Sequence, residues 1–161
     1  MTAAQDTLKQ FQNGEVKYLD LRFTDPKGKL QHLTLDGSLV NEELFVDGAF
    51  FDGSSISGWK AINESDMVLM PDPSTSIIDP FTAQPTMIVF CDILDAVTKE
   101  PYERDPRGVA RRAEEYLKTS GIGDTIYVGP EAEFFVFDDV KFQVDMNKSM
   151  FEVDSVEGPY N

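Results

Sequence analysis

The sequence predicts an α+β protein in which hairpins of β-strands pack on a short helix. Residues 2–13 carry apolar side chains at helical spacing, and strand-like runs flank the turn signal Asp25-Pro26-Lys27-Gly28. A longer helical pattern begins at residue 105. Proline presets the second position of a turn and glycine tolerates its exit. Residues 16–23 and 29–35 are therefore expected to form a β-hairpin.

The other elements of the first part follow from local signals. Gly14 is expected to end the first helix, and Asn41 is expected to cap a short helix that ends at Gly48. Turns that contain proline then separate short segments with strand-like composition. These predicted strands cover residues 66–70, 74–78 and 86–93.

A polar stretch over residues 97–105 is expected to link two domains. Asp105 and Pro106 then open a third helix, because an acceptor side chain caps the first turn and proline fits there. Arg111 and Glu115 are four residues apart on this helix and are expected to pair. Gly121 ends the helix. Its predicted apolar stripe consists of Val109, Ala113, Tyr116 and Leu117.

Composition excludes several classes of function. The 161 residues carry a formal net charge of -15, which opposes binding to nucleic acid and to anionic membranes. No apolar run is long enough to span a membrane. The first residues lack a secretory signal, and this absence favours a location in the cytoplasm. The single cysteine, Cys91, excludes an intrachain disulfide and is expected to be a buried core thiol. The single histidine, His32, is expected to be an ordinary strand residue.

Two glutamates near the end of the chain are the most informative feature. Residues 125–137 are predicted to form a buried strand, on which Glu131 and Glu133 point to the same face, and a polar tail follows from Asp138. Such a pair is commonly a solvated face. If it is buried among aromatic residues, however, unpaired carboxylates would be very costly, and divalent cations would remove that cost. The spacing suits one carboxylate for each of two metal ions.

A second segment is dense in small polar residues. Gly53 and Gly58 permit backbone conformations that other residues avoid. Asp52, Ser54 and Ser55 offer a carboxylate and hydroxyl groups on a loop next to aromatic residues. This pattern is typical of a locally capped turn and also of a binding loop.

Together these segments resemble glutamine synthetase of the bacterial type I form, which is a glutamate–ammonia ligase. The resemblance covers essentially the whole chain. It is carried by residues 16–25, 51–59, 63–72, 79–81 and 129–135. Ala132 departs from the family, which usually has proline between the two glutamates. The family's enzyme is also nearly three times longer, so the chain is expected to be an amino-terminal fragment.

The resemblance implies a β-grasp domain over residues 1–97 and the first helix and strand of an incomplete catalytic domain over residues 98–161. The family ligates ammonia to glutamate with ATP, through a γ-glutamyl phosphate, and uses Mg²⁺ or Mn²⁺. By this match Asp52 and Ser55 place ammonium, and Asp52 helps to remove its proton. Glu131 binds the metal ion at the ATP phosphates, and Glu133 binds the other ion.

The resemblance also implies that Trp59 lies near the nucleotide site and that active sites lie between subunits of a dodecamer. Most of the family's other ligands would lie beyond Asn161, and the strand over residues 125–137 would lack its sheet partners. The chain alone is therefore expected to be inactive. Two alternatives remain open: a non-catalytic β-grasp interaction module, and a fragment that perturbs the ring of the full-length enzyme.

Overall fold

The computed structural model describes residues 2–60 and 65–159, which form two compact units. One unit reaches to Thr125 and the other begins at Ile126. The family-like block over residues 63–72 therefore begins just outside the described residues.

The first unit contains six strands and three α-helices among its described residues. The helices are α1 (Ala3–Gln12), α2 (Leu44–Asp47) and α3 (Pro106–Thr119). The strands are β1 (Tyr18–Thr24), β2 (Leu30–Asp36), β3 (Ala49–Asp52), β4 (Asp66–Pro71), β5 (Ile77–Ile78) and β6 (Thr86–Asp95). Short 3₁₀ turns follow β2, β3 and β4.

One mixed sheet organises this unit. Its strand order is β2-β1-β6-β4-β3, and the short β5 also pairs with β6. The pairing of β1 with β6 is parallel, whereas β1–β2, β4–β6 and β3–β4 are antiparallel. The predicted first hairpin is therefore confirmed. Its turn is closed by a 2.9 Å hydrogen bond from the Gly28 amide to the Asp25 carbonyl, and Gly28 has φ +84°.

The core lies on one face of the sheet, where every second residue of β1 and β6 is apolar and buried. Leu19 and Leu21 of β1, and Val89 and Ile93 of β6, are fully buried. Cys91 lies among them at 1% exposure, as expected. Burial raises the pKa of its thiol, so Cys91 is an unreactive core residue.

The predicted helix boundaries are confirmed with small shifts. Helix α1 begins with a capping box between Thr2 and Gln5. The Asn41 side chain accepts a 3.0 Å hydrogen bond from the Leu44 amide at the start of α2. Asp105 caps α3, and its carboxylate accepts a 3.1 Å hydrogen bond from the Arg107 amide.

Two predictions about elements are wrong. Residues 125–137 form no strand in the structure; they are exposed, because no described strand pairs with them. The expected polar tail is instead a hairpin, β7 (Asp139–Asp145) with β8 (Lys148–Asp154), in the second unit. The segment over residues 97–105, whose role as a linker stays a prediction, holds two buried residues, Tyr102 and Asp105.

Candidate functional site

The Asp52 loop is a rigid turn at the end of β3. The Asp52 carboxylate caps a 3₁₀ turn, and its Oδ1 accepts hydrogen bonds from the Ser54 amide (2.8 Å) and the Ser54 hydroxyl (2.6 Å). The Gly53 amide donates to the Ser65 carbonyl at 2.7 Å. Gly53 is required here, because a Cβ atom would overlap Met67 Sδ and lie 2.8 Å from Met67 Cγ. These contacts together define the backbone conformation of the loop.

These hydrogen bonds set the charge of the loop. The Ser54 hydroxyl and then the Ser54 amide lower the pKa of Asp52 below its ordinary value. The carboxylate is therefore ionised at neutral pH and is a weak proton acceptor. An exposed, ionised carboxylate of this kind suits the binding of a cation better than the removal of a proton by itself.

Asp52 and Ser55 line one open pocket of about 310 Å³. Its walls combine aromatic, aliphatic and polar side chains from β1, β2, β3 and the loop. The other lining residues are Phe23, Gln31, His32, Leu33, Phe51 and Ile56. The structure thus brings together the two predicted ammonium-site residues. It also places Gln31 beside them, a residue that sequence reasoning missed because only the strand register reveals its position.

Trp59 lies in the core beneath this loop. It is 5% exposed, and its ring packs against Phe23 (5.5 Å between centroids), Phe51 (6.0 Å) and Tyr102 (5.7 Å). The Tyr102 hydroxyl donates a 3.0 Å hydrogen bond to the Trp59 carbonyl. Trp59 Nε1 is buried without a partner among the described residues. The tryptophan therefore supports the loop, and its contact with a nucleotide stays a prediction.

Glu131 and Glu133 lie in the second unit, apart from the Asp52 loop in the chain. The segment around them is exposed, with Phe134 at 81% and Phe135 at 86%. The expected burial of the two carboxylates is therefore wrong for this chain, and burial does not force a cation onto them here. Within the described residues, no group of three or more histidine, cysteine, aspartate or glutamate side chains could hold a metal ion. The described residues therefore do not complete a metal site by themselves.

An ion network that sequence reasoning missed ties α3 to the sheet. Arg107 and Arg111 each contact Asp72, which follows β4, and Asp92 on β6. The contacts to Asp92 are both 2.9 Å. The predicted pair of Arg111 with Glu115 is wrong, because the two aspartates of the sheet are reached instead. A 2.8 Å pair of Lys118 with Glu114 carries the i,i+4 contact.

Comparison with known proteins identifies the class. The profile of the glutamine synthetase β-grasp domain matches residues 15–96, and that of the glutamine synthetase catalytic domain matches residues 103–160. The chain belongs to the glutamine synthetase family. The expected β-grasp fold, followed by part of a catalytic domain, is thereby confirmed.

Several relatives of the chain are named glutamine synthetase. The chain is 65% identical over 161 residues to a glutamine synthetase of Rhizobium meliloti and 58% identical to one of Bradyrhizobium diazoefficiens. In both cases the match covers 100% of this chain and 34% of the relative. The chain thus spans about a third of the length of these relatives.

A solved structure has the same fold as this chain. The cryo-EM structure of Plasmodium falciparum glutamine synthetase matches with a TM-score of 0.77 at 22% identity, over 96% of this chain and 30% of that chain. Among the described residues, no helix has the length and apolar character needed to cross a membrane.

Proposed function

We propose that this chain supplies the β-grasp domain and the start of the catalytic domain of a glutamate–ammonia ligase. The observation that carries the proposal is the ionised Asp52, held on a rigid turn at an open pocket that also contains Ser55. The 65% identity with the glutamine synthetase of Rhizobium meliloti supports it. The domain boundary between residues 97 and 98 is part of the proposal, and the two profile matches, over residues 15–96 and 103–160, favour it.

In this reaction the γ-carboxylate of glutamate takes the γ-phosphoryl group of ATP, and ammonia then displaces phosphate. Asp52 binds ammonium through its negative charge, and Ser55 orients it. Because the lowered pKa of Asp52 makes it a weak base, the loop acts chiefly by holding the nucleophile close to the acyl phosphate. Ammonium has no lone pair on its nitrogen, so it first passes one proton to Asp52, and the resulting ammonia then attacks the acyl phosphate and displaces phosphate.

The site also needs groups beyond Asp52 and Ser55, for the metal ions and the nucleotide. Glu131 and Glu133 would each give one carboxylate to Mg²⁺ or Mn²⁺, which stabilise charge on the transferring phosphoryl group. Two carboxylates alone cannot fill an octahedral shell, so further ligands are required. We also propose a cytoplasmic homo-oligomer, a dodecamer, whose active sites lie between subunits. Trp59 would serve the nucleotide site from the core beneath the loop.

A functional assay requires a complete enzyme. The chain can be joined to the remaining residues of the Rhizobium meliloti relative, which gives a full-length chimaera. We expect the chimaera to make glutamine from glutamate, ammonium and ATP. Asp52→Ala should raise the KM for ammonium by about 10- to 100-fold, because a hydrogen bond to a charged group is lost. The KM for ATP should stay within about twofold of the wild-type value.

The 161-residue chain alone should make no glutamine above a heat-killed control, because its described residues do not complete a metal site. Turnover by the isolated chain would contradict this expectation. If the chain is instead a non-catalytic interaction module, Asp52→Ala should leave the activity of the chimaera unchanged. If it perturbs the ring of the full-length enzyme, adding the isolated chain to the chimaera should lower activity and co-assemble.

A further inference from the structure

Gln31 lines the same pocket as Asp52 and Ser55. It lies on β2 directly opposite Phe23 of β1, so both side chains lie on the same face of the sheet. Gln31 is half-buried, and Phe23 belongs to the core. The position of Gln31 at the pocket is therefore set by strand register.

Asp25 fixes the orientation of the Gln31 amide. Asp25 Oδ2 accepts a 2.9 Å hydrogen bond from Gln31 Nε2, and Asp25 Oδ1 accepts from the amides of Lys27 and Lys29, both at 2.9 Å. A carboxylate can only accept hydrogen bonds, so the NH₂ group of Gln31 must face it. The hydrogen bond from Gln31, the largest influence, lowers the pKa of Asp25 and keeps the carboxylate ionised.

This orientation leaves the other end of the amide as an acceptor. Gln31 Oε1 makes no hydrogen bond to any side chain or backbone group in the described residues. Ammonium carries four N–H donors and needs several acceptors around it. Asp52 supplies a charged acceptor and Ser55 a hydroxyl oxygen, and Phe23 and Phe51 line the same pocket.

We propose that Gln31 is a positioning residue for ammonium, whose amide oxygen, left without a hydrogen bond among the described residues by the contact of its NH₂ group with Asp25, is a further acceptor beside Asp52 and Ser55. This inference rests on the proposed function. It predicts that the direction of the Gln31 amide, and not merely the presence of the side chain, determines the affinity of the enzyme for ammonium.

The first test replaces the amide in the full-length chimaera. Gln31→Met keeps the length of the side chain and removes the amide oxygen. We expect the KM for ammonium to rise about tenfold, with kcat and the KM values for ATP and glutamate within about twofold of wild type. Gln12→Met is the matched control, because Gln12 is an exposed residue of α1 that does not line this pocket. Its KM for ammonium should not change.

The second test reverses the amide without touching the pocket. In Asp25→Asn, the oxygen of the new side-chain amide still accepts the hydrogen bonds from the Lys27 and Lys29 backbone amides. Its NH₂ group therefore faces Gln31. The Gln31 amide must then turn its oxygen toward that NH₂ group and its own NH₂ group outward, and a donor replaces the acceptor. Asp25→Asn should therefore raise the KM for ammonium by at least about tenfold. The double variant Asp25→Asn/Gln31→Glu restores an outward oxygen and should return the KM to within about threefold of wild type.

The outcomes separate this inference from the proposed function. If the wild-type chimaera is active and Asp52→Ala raises the KM for ammonium, but Gln31→Met and Asp25→Asn do not, the inference is wrong and the proposed function stands. If both single variants lower only the thermal midpoint, Gln31 is purely structural and the inference is likewise overturned. If Gln31→Met does not fold, the contrast between Asp25→Asn and the double variant decides. An inactive wild-type chimaera would overturn the proposed function and this inference together.

Discussion

Asp20 is a buried carboxylate on the face of β1 opposite the core residues Leu19 and Leu21. It accepts hydrogen bonds from Arg22 Nε (2.7 Å), His32 Nδ1 (2.8 Å) and the Thr34 hydroxyl (2.8 Å). Arg22 also donates to Asp79 Oδ2 at 3.0 Å. The network therefore connects two of the family-like sequence blocks, residues 16–25 and 79–81, across the sheet.

This network makes stability depend on pH. Burial alone would raise the pKa of Asp20, but the hydrogen bonds from Arg22, His32 and Thr34 lower it below the ordinary value of 3.8. A lowered pKa in the folded state stabilises the protein above the unfolded-state pKa, and this contribution is lost as pH falls through the folded-state pKa. The thermal midpoint of the chain should therefore fall as the pH drops below about 4.

Asp20→Asn tests this at the residue scale. It should lower the free energy of unfolding at pH 7 by about 1–3 kcal/mol, because charged hydrogen bonds in a buried place are weakened. It should also flatten the fall in thermal midpoint below pH 4, measured by circular dichroism. Asp47→Asn, at an exposed position of α2, is the control and should change neither quantity. If the thermal midpoint of Asp20→Asn falls below pH 4 as steeply as that of the wild type, a group other than Asp20 causes the pH dependence.

The sequence predicts the structural role of a single residue where a neighbouring residue or the local composition carries a signal. The Asp105 cap, the turn at residues 25–28 and the burial of Cys91 all follow from neighbouring residues or composition. It could not find the partners of Asp20 or Gln31, because those contacts join residues on different strands. The roles of Asp52, Ser55, Glu131 and Glu133 in catalysis stay predictions.

At the scale of elements, α3 is attached to the sheet mainly by charges. Val109 and Tyr116 of its predicted apolar stripe are 50% and 70% exposed. Near its amino-terminal end, Arg107 and Arg111 contact Asp72 and Asp92. Because the four side chains are partly exposed, each contact is worth no more than about 1 kcal/mol.

Removing both arginines tests the role of this network. Arg107→Gln/Arg111→Gln should lower the thermal midpoint of the chain by several degrees, equivalent to about 1–2 kcal/mol. The difference from wild type should shrink in about 1 M NaCl, since salt screens exposed charges. Lys118→Gln removes the exposed pair with Glu114 on the same helix and should cost less than about 0.5 kcal/mol. Equal losses in the two variants would show that the network does not hold α3.

The wrong predictions about elements have two different physical causes. The apolar run over residues 125–137 favours a strand, but a strand needs a hydrogen-bonded neighbour, and no described segment pairs with it. The hairpin of β7 and β8 could have been found from the alternation of Val140, Phe142 and Val144 with polar residues. Charged residues alternate with these apolar residues, and for that reason the segment is predicted as a polar tail rather than as a hairpin.

At the scale of the whole molecule, the chain consists of two compact units that meet in sequence near residue 125. The segment over residues 97–105, which sequence reasoning treats as a linker, is held in the first unit. The Tyr102 amide donates to the Ile93 carbonyl at 2.8 Å, and the Asp105 carboxylate accepts from the Ile93 amide at 3.2 Å.

Limited proteolysis should therefore cut first within residues 125–137, because this segment is exposed and forms no strand. Mass spectrometry of the early products should show a resistant piece that ends near residue 125. First cleavage within Thr86–Asp95, the central strand β6, would contradict the division into units. Equally rapid cleavage near residue 99 would show that the hydrogen bonds of Tyr102 and Asp105 do not anchor that segment.

The most direct measurement of the central claim uses two inactive variants of the full-length chimaera. Asp52→Ala should damage the use of ammonia, whereas Glu131→Ala should damage metal-dependent phosphoryl transfer. If active sites are shared between subunits, mixed assemblies contain sites in which both wild-type residues are present. Mixing the two variants under subunit exchange should then restore measurable glutamine synthesis. Mixed assemblies with verified exchange and no recovered activity would contradict it.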